Sequence, residues 1–158
     1  MTAKADYTPE EWTALVRSPF IAGVAISFAD PGGPIELMKE TSAVLKTITK
    51  PSADQPELVA AVKAELTEML SHRTNPIGDF KPKGPGAGQQ VLDELSAVNA
   101  TLSAKATPEE AGAFRAWLNT AAQDAANAAK EGGFVGIGAV RVSEREEQML
   151  EEIAKVLA

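Results

Sequence analysis

Apolar residues along this chain recur at spacings of three and four, in runs opened by helix-capping residues and closed by Gly or Pro. Thr8-Pro9-Glu10-Glu11 predicts a first short helix carrying Trp12, Leu15 and Val16 and ending near Arg17, with Thr8 and Glu11 exchanging bonds to each other's free amides. Ser18-Pro19 then predicts a restart in a new direction, because the residue before a proline is pushed out of helix geometry. The run from Phe20 to Ala29 fits a buried helix through Ile21, Val24, Ala25 and Phe28, and also a strand through the alternation of Val24, Ile26 and Phe28. A helix is the expectation, since no second convincing strand stands ready to pair with it.

Asp30 to Pro34 has turn composition, and the helical pattern resumes from Ile35 to Ile48 before Pro51. Leu58, Val59, Val62, Leu66, Met69 and Leu70 form the cleanest amphipathic stripe, with Lys63, Glu65 and Glu68 on the opposite face. A Gly/Pro-rich stretch at about 73–88 holds three Pro and four Gly and predicts a long, partly mobile surface loop. Val91, Leu92, Leu95, Val98 and Leu102 mark the next helix. A second Thr-Pro-Glu-Glu at Thr107 starts another through Phe114, Trp117, Leu118, Ala121, Ala125 and Ala128. The residues after the two tetrapeptides diverge, so these read as one capping solution used twice rather than as a repeat. Ser143 and Glu146 have the spacing of a capping box before Met149, Leu150, Ile153, Val156 and Leu157. The expected fold is therefore all-α: one domain over residues 1–158, a bundle of six or seven short helices.

Composition narrows what such a bundle does. With 44% hydrophobic and 23% charged residues in 158, the chain has the make-up of a globular domain. The absence of Cys removes disulfides, thiolate metal sites and Cys nucleophiles, and is compatible with a reducing, cytoplasmic setting. No signal pattern is visible, and the run from Phe20 to Ala29 is about half a membrane span, so neither secretion nor membrane insertion is expected. A net charge of −7, with fifteen scattered Lys and Arg, argues against nucleic acid as a partner.

The candidate chemistry is sparse. The segment from Gly132 to Ser143 is glycine-rich, apolar and leads into a helix. As an anion site it would use the backbone at Gly133, Gly136 and Gly138, the charge of Arg141 and the helix start at Ser143. As a structural segment it would end one helix at Gly132-Gly133 and plug the bundle with Phe134, Val135, Ile137, Val140 and Val142. The stretch 134–142 also admits a strand that would pair with 20–28. Neither a P-loop nor a dinucleotide fingerprint is present.

Lys81 to Gly88 places two ammonium groups and three glycines before a helix start, a weaker anion candidate that also reads as a solvated linker. His72 is the only histidine and falls at a helix end, so histidine-based metal sites and catalytic triads lack support. The glutamates at 144, 146, 147, 151 and 152 suit the first turns and outer face of a helix. Asn119, Gln123, Asp124 and Asn127 lie along one helical face between alanines, a placement that suits a polar pocket, a partner contact or plain solvent. No catalytic residue, metal ligand or cofactor motif is identified.

From Phe114 to Leu157 the strings Phe-Arg-Ala-Trp-Leu, Ala-Ala-Lys-Glu-Gly-Gly-Phe and Val-Arg-Val-Ser-Glu resemble a group of small helical bacterial proteins of unassigned function, and Tyr7 to Pro34 is similar to the same group. The resemblance implies a bacterial origin and a helical fold, with no ligand or activity attached. The leading expectation is a non-enzymatic helical protein-interaction module, acting through an unknown protein partner or through self-association. The alternative is a bundle that binds a small molecule or anion with the 132–143 loop. An enzyme using scattered carboxylates is set aside because no convergent polar set is visible.

Overall fold

The computed structural model describes residues 2–29, 43–51, 53–131 and 144–158, without the side chains of 129–131. Among these residues there are α-helices and no strand. After a short 3-10 turn at Lys4–Asp6 come α1 (Pro9–Ala29), α2 (helical residues 43–49), α3 (Glu57–Ser71), α4 (Ala87–Lys105), α5 (Pro108–Glu131) and α6 (Glu144–Val156). The chain is an all-α bundle, and a single hydrophobic core takes residues from every helix.

The start of α1 matches its sequence pattern. Thr8 N donates to Glu11 Oε2 at 2.8 Å and Glu11 N to Thr8 Oγ1 at 3.2 Å, so two amides left over at the helix start are satisfied reciprocally. The same exchange recurs at α5, where Thr107 N meets Glu110 Oε2 at 3.0 Å and Glu110 N meets Thr107 Oγ1 at 3.2 Å.

The expected break at Ser18-Pro19 is not there: α1 runs unbroken for 21 residues with Pro19 inside it. Pro19 has no N–H for the carbonyl four residues back, that of Leu15. The Ser18 hydroxyl donates to that carbonyl instead, at 2.8 Å, within the core. The run 20–28 is accordingly helical, while 134–142 lies outside the described residues.

Joining the two predicted pieces makes α1 a core helix. It buries Leu15, Val16, Phe20, Ile21, Ala22, Ala25 and Ile26 and packs most extensively on α5 and α4, with further contacts to α6 and α3. By length and composition alone α1 is also apolar enough to cross a membrane, a property masked in the sequence by the expected break. In the bundle most of that apolar surface is taken up by its neighbours, as in a core helix. At Gly23, α2 approaches so closely that a Cβ there would overlap Val44 Cγ2.

Side-chain bonds fix the remaining helices around α1. Trp12 Nε1 and Lys4 Nζ both donate to Glu65 Oε2, at 2.7 and 2.8 Å, joining the N-terminus to α3. Arg17 Nε donates to Glu94 Oε1 at 2.7 Å, joining α1 to α4. Asn99 receives Arg115 Nε at 2.7 Å and donates to the Val156 carbonyl at 2.9 Å, so one side chain on α4 holds α5 and the end of α6. The connection from α3 to α4 is the long Gly/Pro-rich loop expected, with α4 starting at Ala87. Ile77 and Phe80 in this loop pack against the core, and the Arg17 guanidinium lies 5.3 Å from the Phe80 ring centre.

Candidate functional site

The site begins with how α2 meets α5. Helix α2 turns Val44 and Ile48 into the core, which leaves Ala43, Lys46 and Thr47 on a different side, with Lys50 just past the helix end. Helix α5 buries Ala121, Ala122, Ala125 and Ala126, whose small side chains allow close packing. Asp124, Asn127 and Ala128 lie next to that buried stripe and face α2 across an open groove of about 410 Å³. The Thr47 hydroxyl bonds to the Asp124 carboxylate and so bridges the two walls.

The groove is lined by polar and apolar surface in nearly equal parts, and among the described residues it carries more positive than negative charge. Lys46 and Lys50 are exposed, and among the described residues neither ammonium group has a hydrogen-bond or ion-pair partner. Lys63 of α3 adds a third cation nearby: its Nζ donates to the Lys50 carbonyl at 3.1 Å and lies 5.3 Å from the centre of the Trp117 ring. Burial, then repulsion from Lys50, lowers the Lys63 pKa from its ordinary value. Across the groove, Asn127 Oδ1 accepts from Gln123 Nε2 at 3.3 Å.

Of the residues singled out in sequence, Asp124 and Asn127 line this groove, whereas Asn119 is engaged with the Arg115 carbonyl at 3.1 Å. The 132–143 candidate, with Gly133, Gly136, Gly138, Arg141 and Ser143, lies outside the described residues, and with Ser143 so does one half of the expected capping pair with Glu146. Lys81 and Lys83 are exposed, and the Lys83 carbonyl accepts from Gln90 Nε2 at 3.1 Å, a bond that closes the loop onto α4. His72 is the exposed C-cap of α3. In α6, Glu146 is buried, and Glu144, Glu147 and Glu151 face solvent. Among the described residues no group of His, Asp or Glu is placed to hold a metal ion.

Lys46, Thr47 and Lys50 were missed in sequence. Their only signal is the four-residue spacing of the two lysines, which puts both on one helical face. Comparison with protein-family models, with curated proteins and with solved structures found no match.

Proposed function

We propose that this chain is a non-enzymatic binding module that takes a small polar ligand in the groove between α2 and α5. The supporting observation is an open groove of about 410 Å³, within the size range of small-molecule sites, lined by ammonium groups without partners among the described residues. A stable protein interface draws on an apolar centre, and among the described residues Phe28, at 37% exposed, is the one large hydrophobic side chain standing well out into solvent. On this reading the ligand site lies between α2 and α5; the partner, self-association and 132–143 loop readings expected from sequence rest on no observation among the described residues. The absence of Cys fits a reducing compartment, and we place the protein in the cytoplasm on that ground.

The test is a thermal-shift screen of polar metabolites against the full chain and against Ala128→Phe, which fills the groove. A ligand that raises the melting temperature of the parent chain and leaves Ala128→Phe unmoved supports the reading. A screen in which both proteins respond alike, or in which neither responds, overturns it.

A further inference from the structure

The identity of the groove's ligand, which rests on the groove being a binding site at all, is constrained by the charges that line it. Lys46 on α2 and Lys50 just past its end stand four residues apart, with Lys50 N still donating to the Lys46 carbonyl at 3.0 Å, an arrangement in which like charges repel. The chain has 22 acidic residues against 15 basic ones, so carboxylates to pair with them are plentiful. Yet among the described residues the one carboxylate lining the groove, Asp124, is bonded to Thr47, and neither lysine has a partner. Lys63, on the Lys50 carbonyl, adds to the positive field. The groove thus offers two cationic anchors within a protein of net charge −7, a local excess that favours an anion with two separated acidic groups.

Asp124 adds a second requirement. A carboxylate has more acceptor sites than the single Thr47 hydroxyl fills, so it remains able to receive a bond. Its negative charge disfavours a compact, fully anionic ligand such as phosphate and favours one that brings a donor of its own. The Asn127 carbonyl is already used by Gln123, which leaves its amide N–H groups as further donors to a carboxylate. We infer that the groove binds a small dicarboxylic acid bearing a hydroxyl or ammonium group, with its carboxylates on Lys46 and Lys50 and its donor on Asp124.

The experiment is an amide NMR titration of the isotope-labelled full chain with L-malate, L-glutamate, succinate and inorganic phosphate. Malate or glutamate is expected to move the signals of residues 43–50 and 124–128, with a dissociation constant of about 1 mM, as befits an open, solvent-exposed site. Succinate, which has no donor for Asp124, is expected to bind about tenfold more weakly. Lys46→Gln with Lys50→Gln abolishes the response; both positions are exposed, and unchanged signals elsewhere verify the fold. Asp124→Asn, which still accepts from Thr47, erases the preference over succinate.

Three results overturn the inference: no response to malate or glutamate at about 20 mM, a response that survives the double lysine substitution, or phosphate binding as tightly as the diacids. If a neutral or cationic compound occupies the groove instead, this inference falls and the binding-module reading stands. If nothing distinguishes the parent chain from Ala128→Phe, both fall.

Discussion

The Ser18 hydroxyl occupies the hydrogen-bonding site on the Leu15 carbonyl that Pro19 leaves empty, at 2.8 Å and inside the core. A buried carbonyl without a partner carries a desolvation cost of about 1–3 kcal/mol, so Ser18→Ala is expected to destabilise the protein by that amount in urea denaturation. Adding Pro19→Ala to Ser18→Ala restores an N–H at the right position and should recover part of the loss. Pro19 is itself buried, so its own packing limits that recovery. A neutral Ser18→Ala would show that the bond does not carry α1 through the proline.

The same bond explains what the sequence hid. Helices α3, α4 and α5 were legible because each shows a clean apolar stripe between recognisable ends, and both Thr-Pro-Glu-Glu caps formed as the residue spacing implies. The continuity of α1 was not legible: a proline normally marks a boundary, and a helix buried on nearly all sides has no stripe to carry across it. At the candidate site, the polar face holding Asp124 and Asn127 was visible along α5. The wall opposite was not, because Thr47 and Asp124 are 77 residues apart and no local pattern joins them.

Two glycines should respond in opposite ways to the same substitution. A Cβ at Gly23 overlaps Val44 Cγ2 and comes within 3.2 Å of Val44 Cβ, so Gly23→Ala forces α1 and α2 apart at a cost of about 1–3 kcal/mol. Combining it with Val44→Ala relieves the overlap, and the measured costs should fall short of additivity. A Cβ at Gly112, exposed within α5, meets nothing within 4 Å. Gly112→Ala should therefore stabilise by about 0.5–1 kcal/mol, through the lower backbone entropy of alanine in the unfolded chain. Equal effects at the two positions, measured by thermal denaturation, would contradict the close contact of α1 with α2.

Glu110 makes the fold acid-sensitive. Its carboxylate is only 4% exposed, and it accepts from Thr2 N and Oγ1, both at 2.9 Å, and from Thr107 N and Oγ1, both at 3.0 Å. Burial alone would raise its pKa; the bonds from Thr2 and Thr107 outweigh it and hold the group at about 2, below the ordinary 4.5. A depressed folded-state pKa contributes stability that is fully present above 4.5 and is lost as pH falls towards 2. The expected contribution is about 2–3 kcal/mol. Glu110→Gln should be less stable than the parent at neutral pH, with the difference shrinking steadily between about pH 5 and 2. A pH-independent difference in urea midpoints would assign the effect to packing rather than to charge.

The two tryptophans separate the value of a buried N–H from that of the ring that carries it. Trp12 Nε1 donates to Glu65 at 2.7 Å, and Lys4 lies over the same ring at 5.5 Å from its centre. Trp117 packs edge-on against Phe114, with ring centres 5.4 Å apart, and its buried Nε1 has no hydrogen-bond partner among the described residues. Replacing either with Phe removes a similar volume, so the packing losses are comparable and the difference between the two isolates the N–H. At position 12 the substitution also breaks a bond to a charged acceptor, worth about 1.5–3 kcal/mol. At position 117 it removes a donor that already carries an unpaid desolvation cost, a change that offsets part of the lost packing. Trp12→Phe should therefore cost more than Trp117→Phe by about 2 kcal/mol in urea denaturation. If Trp117→Phe is the costlier of the two, the indole nitrogen of Trp117 has a partner in solution.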